Sequence, residues 1–381
     1  MNALSPKSAL DFAATAYDIE FNPERFRPTP RLNKHFVFNR DKLKINGQTG
    51  SSFKSRTSGF VLTAEGKSKN KHDSSLVLAF RGTNFGYAAD VLTDLHADLK
   101  GSPNGSLAHA GFINVLDSLK NQISQYLSNS IGKIKVIHCV GHSLGGAIAS
   151  ICADWLRTKY KVQVFLYTFG APRVGLKPYA IKSSHSNVKI FRCTNGADPV
   201  PMIPLWPFTH APIDKPEYRL DNSYGINFTM HKLHSETGYF KTLKSDNWEH
   251  LNKVSSKTLS RPERLQFHNR NQVTFSQRWS DKIASAIITL LKDAGYASLV
   301  TAQGLAIAGM SFYDLIARAL EKVCKSSKKL AEQTKGLLGH MLVFAGKVVK
   351  EITDLSYKFI KWVFDITVAR LYRAARLAIS S

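Results

Sequence analysis

One hexapeptide constrains this chain more than any other part of it. Residues Gly141-His142-Ser143-Leu144-Gly145-Gly146 contain G-x-S-x-G, with an apolar run, IKVIHCV, before it and a small-residue run, GAIASICADWL, after it. The first run reads as a buried strand and the second as a helix, so the hexapeptide is a sharp strand-to-helix turn. A serine at its tip projects above a sheet. Glycines two residues to either side remove Cβ atoms that would collide inside the turn. The helix then presents its N-terminal N–H groups and its positive dipole end to the same spot. Ser143 is therefore the candidate nucleophile, and the N–H of Leu144 a candidate donor to an oxyanion.

The segments around this turn set the fold class. Short β-branched runs at Ser75–Phe80, Ile134–Val140, Val162–Phe169 and Val188–Cys193 read as buried strands. Helix-like stretches at Phe112–Leu127 and Gly145–Tyr160 separate them, and Ala9–Tyr17 is another near the start. Strand alternating with helix predicts an α/β fold with a mostly parallel central sheet. Residues 199–216 hold six of the fourteen prolines, which predicts a long ordered loop.

After Pro262, the last proline, the composition turns to Ala, Leu, Ile, Val, Lys and Arg with no strand pattern. Ala345, Val349, Ile352, Leu355, Phe359, Val363 and Ile366 recur at helical spacing with charges between them, which predicts an amphipathic helix. Ala294–Tyr313 carries no charge and is about as long as a bilayer span, but Thr301, Gln303, two serines and three glycines make it a weak one. These shifts predict an α/β catalytic domain over 1–255, a linker over 256–280 and a basic helical region over 281–381.

The chain has 381 residues and a formal net charge of +24. At 43% hydrophobic it can bury a full core, which excludes a wholly disordered chain. Its four cysteines exclude a disulfide scaffold, and Cys139, Cys152 and Cys193 stand in apolar contexts that predict buried thiols. The surplus of positive charge favours an anionic partner surface, either nucleic acid or acidic lipid. No nucleic-acid-binding module and no interleaved basic-aromatic surface is recognisable, so the expectation is an anionic membrane surface. The first residues lack a basic n-region and an unbroken apolar stretch, so no Sec-type signal peptide is expected. A cytoplasmic or membrane-associated location follows, or export by a specialised bacterial route. With neither HExxH nor CxxC present, no metal and no cofactor is expected.

Six pieces, the serine turn among them, occur in a characteristic order: FRGTN at 80–84, His109-x-Gly111-Phe112, GHSLGGA at 141–147, FGAPRVG at 169–175, NGADPVPMIP at 195–204 and HSETGY at 234–239. Together they resemble the class 3, or fungal-type, lipases of the α/β-hydrolase superfamily, over about residues 9–250. A serine nucleophile needs a histidine to take its proton and a carboxylate to orient that histidine. The resemblance implies Asp198, in the D-P-V-P stretch, as the acid. It implies His234, which leads H-S-x-x-x-Y, as the base; His231 and His250 remain alternatives. It also implies Thr83 of F-R-G-T as the second oxyanion donor beside Leu144, and a lid over 84–95. Trp206 and Phe208 would then form aromatic wall. His142 reads as part of the turn, His109 as a packing residue near the site, His210 as structural and Arg81 as a buried structural cation.

The expected function is a serine carboxylester hydrolase acting on lipid esters, with a slight lean to phospholipid over triacylglycerol from the charge and the C-terminal helices. The alternative is a membrane-active toxin or effector whose C-terminal helices act on bilayers, with hydrolysis secondary.

Overall fold

The structure is a computed structural model and describes residues 3–21, 26–39, 44–49, 56–82, 98–128, 130–213, 217–221, 223, 225–254, 263–296 and 312–380. The chain opens with α1 (Pro6–Phe21) and α2 (Pro30–His35), then strands β1 (Phe36–Val37), β2 (Lys44–Thr49), β3 (Arg56–Gly66) and β4 (Ser75–Gly82). Two short strands, β5 (Leu99–Gly101) and β6 (Leu107–His109), lead into α3 (Ala110–Ser128). The central part alternates: β7 (Val136–His142), α4 (Leu144–Tyr160), β8 (Gln163–Phe169), β9 (Gly175–Leu176), α5 (Lys177–Ser184) and β10 (Val188–Asn195). Then come β11 (Phe208–Thr209), β12 (Tyr218–Asp221), α6 (Tyr239–Thr242) and α7 (Trp248–Val254). Four longer helices close the chain: α8 (Gln277–Asp293), α9 (Phe312–Ser326), α10 (Lys328–Phe344) and α11 (Tyr357–Ser380).

Among the described residues the main sheet has eight strands, in the order β1-β3-β4-β7-β8-β10-β12 with β2 also on β3. From β4 to β12 every pairing is parallel, while β1, β2 and β4 pair antiparallel with β3. This is the α/β architecture with a mostly parallel central sheet that the alternation of strand and helix predicts. A strand covered on both faces should carry a continuous apolar run. Strand β7 is buried at every residue, apolar except for His138 and His142. Helix α4 lies close beneath it because its buried face is largely Gly and Ala.

The sheet separates two cores. On one face α1 brings Phe12, Ala13 and Ala16 against Val77, Val140 and Tyr167. On the other, α3 and α4 bring Leu116, Ile148 and Ile151 against Leu78, Ile137 and Leu166. That second core does not stop at the α/β part. Val200, Met202, Ile203, Leu205 and Trp206 carry it into Ile283, Ile287, Leu320, Leu338, Phe364 and Leu371 of the last four helices. Of the residues expected to be a linker, 263–276 are packed: Leu265 is buried, and the 3-10 turn Phe267–Gln272 packs on α10.

The amphipathic helix expected from Ala345 onward begins twelve residues later, at Tyr357. Helix α10 stops at Phe344, and Gly346 takes φ +79°, with its N–H bonded back to Val343 O and that of Lys347 to Leu342 O. A glycine in the left-handed region is the usual end of a helix, and it outweighs the apolar periodicity running through it. No helix among the described residues is long and apolar enough to cross a membrane. Most of Ala294–Tyr313 lies outside the described residues. Cys139, Cys152 and Cys193 are buried free thiols, as their contexts predict.

Candidate active site

Ser143 sits between β7 and α4 with φ 55° and ψ −133°, a strained conformation for a side-chain-bearing residue. The glycines make it possible. A Cβ on Gly141 would lie 2.3 Å from Gly145 O, and one on Gly145 would lie 2.2 Å from Phe80 O. The chain before the serine, the helix after it and the neighbouring strand β4 are thus too close for any side chain at either position. Ser143 occupies the N-cap position of α4, yet its hydroxyl caps no helix N–H. It donates instead to His231 Nε2, at 2.9 Å.

His231 ends a 3-10 turn, Phe228–His231, in the irregular stretch after β12. Its Nδ1–H donates to Asp198, 2.9 Å from Oδ2 and 3.1 Å from Oδ1. Because the buried carboxylate takes the Nδ1 proton, Nε2 is left as the acceptor for the serine. Asp198 follows β10 and is fully buried. It also accepts from the Tyr239 hydroxyl at 2.7 Å and from the N–H of Val200 at 2.9 Å. Burial and the neighbouring Asp198 charge push the Tyr239 phenol well above its ordinary range, so it stays a donor. Gly170, at φ +58°, leaves the room: a Cβ there would lie 2.7 Å from Asp198 Oδ2 and 3.1 Å from His231 Nδ1.

His234, expected as the base, lies elsewhere. It is exposed and stacked on Phe240, ring centroids 4.6 Å apart. His250 is exposed on α7. The reason is local: after His231 the backbone is extended at Lys232, φ −69° and ψ 150°, and leaves the turn that holds His231 inward. That turn is tied from several sides. Asn195 Nδ2 donates to Met230 O at 2.8 Å, Asn227 N to Ala197 O at 3.0 Å, and His142 Nε2–H to His231 O at 2.7 Å. The other nitrogen of His142 accepts from the Tyr17 hydroxyl at 2.9 Å. Burial, then the adjacent His231, hold His142 well below the ordinary histidine range, so it remains neutral. Burial raises Tyr17 to about 12, so it keeps its proton.

Leu144 opens α4, so its N–H is among the first-turn groups that the helix itself cannot satisfy. Thr83 and the segment 84–95 lie outside the described residues. Arg81 is buried, with its guanidinium 5.1 Å from the centre of the Tyr17 ring. His109 is buried and stacked on Phe112 at 4.4 Å, with Phe208 6.0 Å away. His210 donates from Nε2 to Pro201 O at 2.8 Å. Trp206 is buried in the core shared with the C-terminal helices.

Sequence reasoning gave no role to Tyr17, and saw Gly170, Asn195 and Tyr239 only as members of quoted patterns. Each acts across a long separation, and no local spacing marks it. His231 and His234 were separable only by the bonding of the turn.

Such an arrangement supports nucleophilic attack by Ser143 with proton transfer through His231. Residues 77–208 match the family described as lipase (class 3). A secreted mono- and diacylglycerol lipase A of Penicillium cyclopium is 34% identical over 154 residues, 38% of this chain and 48% of that protein. A secreted mono- and diacylglycerol lipase 1 of Fusarium solani is 36% identical over 124 residues, 31% of this chain and 35% of that protein. A toxin of Vibrio cholerae, TseL, is 34% identical over 120 residues, 30% of this chain and 18% of the toxin. The chain thus spans less than half the length of each of these relatives.

Proposed function

We propose that this chain, whose residues 77–208 match the lipase (class 3) family, is a serine carboxylester hydrolase acting on lipid esters. The observation that carries the reading is the line of hydrogen bonds Ser143–His231–Asp198 at the tip of the turn. Ser143 Oγ attacks the acyl carbonyl while His231 Nε2 takes its proton. Asp198 keeps the ring in the productive tautomer and stabilises the imidazolium. The tetrahedral oxyanion is received by the N–H of Leu144; Thr83, the second donor that the resemblance implies, lies outside the described residues. His231 then protonates the departing alcohol, and water activated by the same ring releases the acid from the acyl-enzyme.

The chain's charge of +24 supports work at an anionic bilayer, since each basic residue near such a surface adds about 1 kcal/mol of attraction. That favours phospholipid over triacylglycerol. The reading of the C-terminal helices as agents that insert into bilayers has less support, because their apolar faces are already occupied by one another and by the α/β part.

The test is product analysis on mixed vesicles of triacylglycerol, phosphatidylethanolamine and phosphatidylglycerol. Wild type should release fatty acid, and Ser143→Ala should lose activity by a factor of about 10⁴ or more. Release from none of the three lipids would overturn the reading. Full vesicle leakage by Ser143→Ala would favour the membrane-active alternative.

A further inference from the structure

The C-terminal helices do more than lie on the α/β part. Helices α8 and α11 pack on the 3-10 turn Val200–Met202, just after Asp198, and α11 also packs on the turn that carries His231. The polar contacts converge on Arg173, in the loop after β8. Its main-chain N–H donates to Ile203 O at 2.8 Å. Its guanidinium, 5% exposed, donates to Met202 O, to Pro204 O at 2.9 Å and to Asp281 Oδ1 of α8 at 3.0 Å. One residue thereby gathers three consecutive carbonyls of the acid-bearing loop, and its remaining contact reaches a helix well beyond residues 77–208.

Charge makes that last contact consequential. A buried guanidinium bonded only to carbonyls keeps an uncompensated charge, which is costly. Two further guanidiniums, Arg192 and Arg219, pair with a single buried carboxylate, Glu217, which also accepts from Gln277 of α8 at 3.1 Å. Glu217 is therefore already engaged, and Asp281 is the carboxylate that meets Arg173. The acid loop in turn reaches the site through the Val200 N–H on Asp198 Oδ1.

We propose that Asp281 is a positioning residue: through Arg173 it holds the loop 199–204 and hence the Asp198 carboxylate that orients His231. This rests on the reading of Ser143, His231 and Asp198 as the hydrolytic machinery. Small displacements of a positioning group are expensive in rate, about 10²-fold for a shift of about 1 Å. Asp281→Asn keeps the shape and removes the charge. It should lower kcat on a soluble short-chain p-nitrophenyl ester roughly ten-fold, with KM nearly unchanged, while Asp281→Glu should restore most of the rate.

The rates are taken per active site, titrated with a fluorophosphonate that labels Ser143, and the melting temperature is recorded for each variant. Arg173→Gln combined with Asp281→Asn should be no slower than Arg173→Gln alone, because the two act in series. A lower melting temperature with unchanged kcat per labelled site in Asp281→Asn would overturn the proposal, and so would additive losses in the double variant. A wild type that neither labels nor hydrolyses would overturn the hydrolase reading itself, and this proposal with it. A labelled, active wild type confines any failure to Asp281.

Discussion

The turn that carries Ser143 and the turn that carries His231 meet at 2.9 Å, yet they are held by different physics. The serine turn is held by exclusion. Strand β4, the end of β7 and the start of α4 approach so closely that Gly141 and Gly145 have no room for a side chain, and the serine has one place to go. The histidine turn is held by attraction, through the side chains of Asn195 and His142 and the main-chain N–H of Asn227, each bonded to a main-chain carbonyl distant in sequence. The glycines that exclusion requires, Gly141 and Gly145, stand beside the serine in sequence, even though Gly145 is crowded by Phe80 of β4. Attraction of this kind is written in residues far apart.

The sharpest way to break this comparison is to exchange the histidines. His231→Ala should lower kcat by about 10⁴-fold, as loss of a triad base does. His234→Ala should stay close to wild type, since that ring is exposed and stacked on Phe240. Steady-state kinetics on one ester decides between them, and the opposite ranking would return the base to His234.

Next in size is the contrast in stability. Gly145→Ala puts a Cβ against Phe80 O and should cost about 3 kcal/mol or more, read as a fall in the urea midpoint. Ser235→Ala removes one bond, 2.5 Å to Thr229 O, near the partly exposed side of the histidine turn and should cost about 1 kcal/mol. Equal losses would mean that the two turns are not held differently.

A smaller effect tests the acid. Tyr239→Phe deletes one hydrogen bond to the Asp198 carboxylate, of a kind worth about 1.5–3 kcal/mol, and should lower kcat about ten-fold with KM little changed.

The smallest concerns pH. His142 is neutral in the folded chain far below 6.5, because burial opposes its charge. Unfolded, it takes up a proton as the pH falls through 6.5, so acid draws the equilibrium toward the unfolded chain. Stability should therefore fall on acidification. In His142→Gln the slope between about pH 6.5 and 5 should be shallower, by at most about 1.4 kcal/mol per pH unit. Burial also lowers His72 to about 4 and His138 to about 3, but both remain in the variant and their contribution cancels in the comparison.

The same contrast explains what could be read before the fold was seen. Ser143, its strand and its helix follow from residues 134–160 alone, because local sterics determine them. Asp198 was legible as a pattern at the end of a buried strand. His231 was legible only as an alternative: it stands three residues before a histidine with the better motif, and it is held in place by a side chain on β10, another on β7 and, through the latter, the hydroxyl of Tyr17 on α1. The break at Gly346 was visible as a residue, but apolar spacing across it suggested continuity. The docking of the last four helices was hidden for a further reason. Periodicity shows that a helix has an apolar face, not which surface will cover it.

The core that runs from Leu205 and Trp206 into Ile283, Leu320 and Phe364 has a bearing on how a protein of this kind should be divided. The match to the lipase (class 3) family ends at residue 208, but among the described residues the core continues past that point. A cut at that point would pass through packed side chains and leave two raw apolar surfaces, so kinship and divisibility mark different boundaries in this chain.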